Sequence, residues 1–386
     1  MRINYSYLDR QFNDVEPYLD DIRELVRTGD FTLGTPVSKF EERFAALCQL
    51  PYAIGVSSGT DALALSLKVV GVGPGDEVIT TPNTFVATVG AIVMTGARPV
   101  FVDNDESYAI DVDQIESAIT PKTKAILPVH LTGYPADMPA IMKIADRHGF
   151  PVIEDAAQAI LASIDGNPVG SWGETACFSL HPLKNLNVWG DGGVIVTRSS
   201  ELNAKLRLLR NHGLATRDEI TVFGHNCRLD SLQAIVANRI IDQTQPITDQ
   251  RIANARRFDE ALADLGEYIF IPPRPTNVKQ VFHTYVVQAA NRDGLLQHLL
   301  QNGIDAKVHY PIPLHLQEAA AYLGYQEGAF PVCERHCKSI LTLPVHQHLT
   351  SSEMDYVIEQ MHQYYSSQYV GGTLADDNRG RKAMFN

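Results

Sequence analysis

The chain has 386 residues, 45% of them hydrophobic and 20% charged, enough apolar content for a substantial buried core and too balanced a composition for wholesale disorder. A formal net charge of −13 would repel a phosphate backbone; this excludes a general nucleic-acid binder and leaves room only for a local pocket around a small phosphorylated ligand. There is no apolar run long enough to span a bilayer, and the polar, acidic start MRINYSYLDRQFNDVEPYLDD lacks the basic head and apolar centre of a secretory signal, so a cytoplasmic location without a membrane partner is expected.

The cysteines at 48, 177, 227, 333 and 337 are scattered and odd in number, the pattern of reduced thiols in a cytosolic protein. Cys333 and Cys337 flank His336, but a CxxxC spacing on a helix with no second cluster nearby gives no reason to expect a metal.

In chain order, residues 16–28 and 36–48 read as short helices joined by the glycine-rich GDFTLGTP. From residue 52 a rhythm sets in. Short apolar runs (YAIGV, EVITT, PVFVD, KAILPV, PVIED, ACFSL, GVIVT) alternate with helical periodicity at 60–71, 84–95, 111–119 and 137–148. Strands separated by helix-length crossovers predict a mainly parallel sheet covered on both faces. The rhythm stops near 213, and GHNCRLDSLQAIV reads as a loop entering a helix. Beyond 250 come an amphipathic stretch at 251–265, a break at PPRPT, the strand HTYVVQA, and helices near 293–302, 316–323, 331–339 and 351–365. The expected organisation is a large domain over 1–250, a smaller C-terminal α+β domain over 251–365, and a flexible extension over 366–386.

Four segments carry chemistry. In GVSSGTDALALSL, a strand ends at Val56 and Ser57, Ser58, Gly59 and Thr60 turn the chain into a helix, whose free amides and positive dipole end suit a phosphate. Taken alone this is more often an ordinary capped turn. In PNTFVATVGAI, Phe85 at the carboxyl end of a strand suits stacking on a flat heteroaromatic ring, although a phenylalanine there is more often core packing. In FPVIEDAAQAI, Asp155 ends a buried strand, where open α/β sheets place ligands. It reads either as a helix cap or as the partner of a protonated ring nitrogen that turns a pyridine into an electron sink. In ACFSLHPLKNLNVWGDGGVIVT, Ser179, His181 and Lys184 occupy a polar turn. A lone lysine in such a turn is usually a solvated surface residue, but one flanked by small, polar and apolar residues can be desolvated into a nucleophilic amine that forms a Schiff base.

Together these segments, with GDFTLGTPVSKFEERFA, GARPVFVD, RNHG, HYPIPLH and LPVH in order, resemble the DegT/StrS-type sugar aminotransferases of the aspartate aminotransferase fold, over about residues 1–365. The resemblance implies pyridoxal 5′-phosphate (PLP) fold type I, an α/β fold with a seven-stranded, mostly parallel sheet between helices in the large domain. It implies Lys184 as the cofactor-binding lysine and proton shuttle, Asp155 at the pyridine nitrogen, Phe85 on the ring face and Gln158 beside the phenolic oxygen. Gly59, Thr60 and Ser179 match the phosphate cradle, and Asn226 matches a residue lent by the neighbouring subunit of a homodimer. His309, Tyr310 and His315 fall where the family handles the sugar. Trp189 and Asn187 stand where the family has a short glycine-rich bend, which puts Trp189 at the expected pocket rim.

The activity implied is transfer of an amino group from an amino acid, L-glutamate in this family, to a nucleotide-linked keto-sugar. RLDSLQA resembles the branch that aminates C3. A keto-cyclitol or the terminal aldehyde of a sugar acid as acceptor, a PLP-dependent dehydratase, and a sensor that keeps the fold without turnover are the alternatives. Dehydratase relatives carry histidine at the lysine position or an iron–sulfur cluster, for which the cysteines lack the spacing.

Overall fold

Runs rich in valine and isoleucine become strands because branched side chains fit a pleated, buried surface. In the computed structural model, which describes residues 1–370, these strands are β1 (Tyr52–Val56), β2 (Glu77–Thr80), β3 (Arg98–Phe101), β4 (Thr123–Ile126), β5 (Ile153–Asp155), the two-residue pair β6 (Ser163–Ile164) and β7 (Asn167–Pro168), β8 (Thr175–Ser179) and β9 (Gly193–Thr197). One sheet has the order β1-β9-β8-β5 and another β3-β2-β4. The pairs β5–β8, β2–β3 and β2–β4 are parallel, and β9 runs antiparallel to both β1 and β8.

Two isolated parallel bridges, Ile126 with Val152 and Val129 with Asp155, join the sheets. The single seven-stranded sheet expected from the sequence is therefore interrupted into four and three strands. Pro128 supplies a physical reason. Its carbonyl accepts from the Asp155 amide at 2.9 Å, but it has no N–H with which to continue the ladder.

Helices Gly59–Val69, Val86–Met94 and Met138–His148 cross between the strands. The last is bounded sharply: the Asp137 side chain accepts from the Ala140 amide at 3.1 Å, and Gly149 closes the helix at φ +71°, a left-handed position that favours glycine. The stretch expected as a helix over 111–119 is a single turn, Val112–Ile115, followed by a 3₁₀ turn.

After helix Thr244–Ala261 come β10 (Ile269–Phe270), β11 (Val278–Lys279), β12 (Tyr285–Ala289) and β13 (Ile340–Leu343). β10, β12 and β13 form an antiparallel sheet, and β11 pairs with β6 beside β7. β13 was not expected; it follows helix Pro331–Ser339 directly and lies at the edge of the sheet. A separate apolar core fills this C-terminal unit from Ala255 to Tyr365, with Ile3 as its one contribution from the start of the chain. Of the extension expected from 366, residues 366–370 continue helix Ser351–Val370, and 371–386 lie outside the described residues.

Helix Thr35–Leu47 is tied to β1 through charge as well as apolar packing. Glu41 points inward, and its carboxylate accepts from the Gly55 amide at 2.8 Å and pairs with Arg207 at 2.8 Å and with Arg210. Arg210 also donates to the Gly55 carbonyl at 2.7 Å. Glu41 and Arg210 are each 5% exposed, so deleting the carboxylate strands a buried guanidinium. Glu41→Ala is expected to lower stability by about 3–5 kcal/mol in denaturant unfolding; a loss below about 1 kcal/mol would contradict the pairing.

Candidate active site

The ends of four sequence segments converge on a cavity of about 420 Å³. Its walls include Gly59, Thr60, Phe85, Asp155, Gln158 and Lys184. Ser179, His309 and Tyr310 also face it.

Asp155 is brought in by the carboxyl end of β5 and is 5% exposed. Its Oδ2 accepts from the Thr88 hydroxyl at 2.7 Å, and Oδ1 from the Ala157 amide at 3.2 Å. Because Thr88 donates there, it accepts from Thr84, 2.8 Å away, giving a directed relay of two hydroxyls. Burial pushes the Asp155 carboxyl up, while the Thr88 bond, the Ala157 amide and the charge of Lys184 pull it back.

Lys184 lies in the loop between β8 and β9. The Lys184 amide donates to His181 O at 2.8 Å, and the Val188 amide donates to Leu180 O at 2.9 Å, so the loop is a tight turn. Removal from water lowers the Lys184 amine to about 8, opposed by the Asp155 charge. The amine is therefore largely uncharged above that pH and protonated below it.

Ser58 caps helix Gly59–Val69 by accepting from the Asp61 amide at 3.0 Å. At Gly59 a Cβ would lie 2.9 Å from the Ser179 Cβ. Only a residue without that carbon lets the helix start approach the end of β8 so closely. The first amides of an eleven-residue helix thereby open beside Ser179.

Phe85 is 52% exposed, with its ring centroid 6.0 Å from that of Tyr310; it is not packed into the core. The Gln158 Oε1 accepts from the Thr132 amide at 2.7 Å, which turns its NH₂ toward the Tyr310 hydroxyl. His309 Nδ1 lies 3.0 Å from Thr342 Oγ1. Burial lowers His309 to about 4 and raises Tyr310 to about 12, so one is a neutral imidazole and the other an intact hydroxyl donor.

Three expected residues stand elsewhere. His315 is 2% exposed, bonded through Nε2 to Glu334 at 3.0 Å and set edge-on against Phe330. Trp189 packs against Phe12 and Tyr18, with ring centroids 5.6 and 5.0 Å away. Neither lines the cavity of the single chain, contrary to expectation: Glu334 and Phe330 hold His315 in a buried cluster, and Phe12 and Tyr18 from the start of the chain draw Trp189 aside. Asn226 is exposed and also lies outside the cavity of the single chain. The adjacent Glu154 turns to the opposite side of β5, where its carboxylate accepts from the Gly170, Trp172 and Gly173 amides at 2.9–3.0 Å.

The sequence reading missed Thr88, Tyr5 and His283, which also line the cavity. Thr88 lies four residues after Thr84 in TFVAT, and the two hydroxyls meet across the start of helix Val86–Met94. Tyr5 and His283 carry no local signal, because they arrive from the chain start and from just before β12, the central strand of the C-terminal sheet. The cysteines are all free and buried, and no group of three or more metal-ligating side chains occurs among the described residues. No described helix is long and apolar enough to cross a membrane.

A lysine amine of lowered basicity facing a buried aspartate, at the carboxyl ends of a largely parallel sheet, marks a PLP-dependent enzyme of the aminotransferase class. The chain belongs to the DegT/DnrJ/EryC1/StrS aminotransferase family, which its residues 13–362 match. It is 43% identical, over 95% of its length and 99% of the other's, to a protein of Geobacillus stearothermophilus named a pleiotropic regulatory protein. It is 42% identical, over 87% of this chain and 90% of the other, to the UDP-N-acetyl-3-dehydro-α-D-glucosamine 3-aminotransferase of Acidithiobacillus ferrooxidans. The crystal structure of DesV from S. venezuelae superimposes with a TM-score of 0.91 at 39% identity, covering 94% of this chain and 98% of that one. Solved neighbours include PLP and pyridoxamine phosphate forms; the cofactor of this aminotransferase is PLP.

Because the Asp155 charge raises the Lys184 pKa and burial lowers it, Asp155→Asn is expected to move the midpoint below about 8. The check is the pH dependence of Lys184 acylation in cofactor-free protein, read by peptide mass. A midpoint that stays put or rises would contradict the charge coupling.

Proposed function

We propose that the enzyme transfers an amino group from an amino acid, with L-glutamate as donor, to the keto carbon of a nucleotide-linked sugar in amino-sugar biosynthesis, and that the carbon aminated is C3. The observation that carries this reading is the meeting of Lys184 and Asp155 in one cavity whose other walls offer a ring-stacking phenylalanine and an open helix start. The RLDSLQA segment and the 42% identity to a 3-aminotransferase of a UDP-sugar support the choice of carbon.

The residues fit PLP. The absent Cβ at Gly59 keeps open a cradle in which the amides at 59 and 60 and the Ser179 hydroxyl would hold the phosphate. Phe85 would stack on the ring, and the NH₂ of Gln158, beside the Tyr310 hydroxyl, would donate to the phenolic oxygen. Asp155, oriented by Thr88 and Ala157, would hold the ring nitrogen protonated. When bound, the cofactor supplies an electron sink and a carbonyl that carries the amine between substrates.

The protein supplies the proton transfers and the orientation. With its basicity lowered to about 8, Lys184 can both take and return a proton at Nζ near neutral pH, where a free lysine would stay charged. Tyr310 remains a donor and His309 a neutral group across that range, so both can meet sugar hydroxyls without adding charge.

The same reading makes the active unit a homodimer that shares its sites. Phe223, 87% exposed, and Ile220, 59% exposed, lie in the segment that carries Asn226, an apolar surface suited to a second copy. Covering it would bring Asn226 to the neighbouring cavity.

Lys184→Ala is expected to remove the visible band of the lysine-bound cofactor and to cut turnover by at least about 10²–10⁴-fold. A variant that kept multiple-turnover transamination would overturn the role. Offered a panel of acceptors, the pyridoxamine form of the wild type should regain the band with a 3-keto nucleotide sugar. Recovery only with a keto-cyclitol or a sugar-acid aldehyde would redirect the substrate assignment, and no turnover with any acceptor would favour a sensor.

A further inference from the structure

The first eleven residues form a strap between the C-terminal unit and the lysine loop. At one end, Ile3 donates to Gly303 O at 2.8 Å and accepts from the Asp305 amide at 2.9 Å. The Tyr5 amide lies 3.3 Å from Asp305 Oδ2, and His346 Nε2 is 3.2 Å from Asn4 O. At the other end, the Tyr7 hydroxyl donates to Lys184 O at 3.1 Å, with Leu183 O at 3.4 Å. The Gln11 side chain donates to Asn187 Oδ1 at 2.7 Å. Between these anchors, Tyr5 forms part of the cavity wall.

Tyr7 is itself held. Its ring, 3% exposed, has the Arg251 guanidinium 5.1 Å from its centroid. Arg251 is 2% exposed; its Nη1 donates to Phe282 O and His283 O at 3.2 and 3.1 Å, and Nε donates to Gln347 at 3.1 Å. A buried cation gripped by carbonyls and placed against a ring leaves that ring little freedom. Burial also raises the phenol of Tyr7, so the hydroxyl stays a donor.

We propose that Tyr7 is a positioning residue for Lys184: its hydroxyl holds the lysine's own carbonyl, and the strap thereby ties the placement of the amine to the seating of the C-terminal unit. The inference rests on the reading of Lys184 as the cofactor lysine. A lysine side chain is long and mobile, and its backbone is the one part that the fold can fix before the cofactor arrives. Two independent hydrogen bonds from one strap, to residues 184 and 187, fix it on both sides of the turn.

The test uses the PLP-loaded enzyme carrying Tyr7→Phe, which keeps the ring and removes the hydroxyl. The expected result is a fall in kcat of about tenfold, with KM for donor and acceptor changed less than about twofold, and a displaced pH midpoint of the visible band. Tyr356→Phe is the matched control. It removes a tyrosine-to-carbonyl bond of the same length, to Asn302 O at 3.1 Å, within the C-terminal unit, and should keep the wild-type kcat and midpoint. If Tyr7→Phe matches Tyr356→Phe in both measurements, or alters KM alone, the proposal is overturned. Should Tyr7→Phe fail to fold, Gln11→Ala, which removes the Asn187 contact, is judged by the same criteria. Failure of the underlying Lys184 reading would show separately, as a band that survives Lys184→Ala.

Discussion

On the proposed reading, the chemistry of this enzyme depends on placing an amine and a buried carboxylate in one cavity. Burial disfavours the charge on each group, and their mutual attraction restores part of it. Neither group is left in its ordinary state: the lysine's basicity is lowered to about 8, and the aspartate's carboxyl is pushed up by burial and pulled back by the Thr88 and Ala157 donors and by the lysine. A solvated pair at the surface would titrate normally.

The fold serves this arrangement through the ends of its elements. β5 delivers Asp155, the turn after β8 delivers Lys184, and the helix opening at Gly59 presents its amides where the two strands finish. Each depends on a local feature of the backbone: the absent Cβ at 59, the tight 181–188 turn, and the bridge between Val129 and Asp155 across the interrupted sheet. The start of the chain then closes the arrangement by crossing from the C-terminal unit to the lysine loop.

Much of this was legible in the sequence because its signals are local. Valine- and isoleucine-rich runs at regular spacing reveal the strands, and a small polar turn before a helical period reveals the phosphate-suited helix start. Asp155 ends a strand and Phe85 precedes a helix, positions that periodicity locates; Lys184 lies in the turn after a strand, and Gln158 is marked only by the family resemblance. What stayed hidden depends on tertiary packing. Trp189 was placed at the rim because it follows the lysine closely, yet Phe12 and Tyr18, far away in sequence, draw it aside. His315 sits in a stretch associated with substrate, but Glu334 and Phe330 absorb it into a buried cluster. Tyr5 and His283 enter the cavity wall from segments with no chemical pattern, and β13 went unseen because Ile-Leu-Thr-Leu, four residues directly after a helix, is too short to show a strand period.

The central claim is that residue 184 is the covalent anchor of the cofactor. The most direct measurement is borohydride reduction of the PLP-loaded protein, followed by digestion and mass mapping of the pyridoxyl group. The account predicts a single modified peptide with the added mass on Lys184; a pyridoxyl group on any other lysine, or none on the protein, would contradict it.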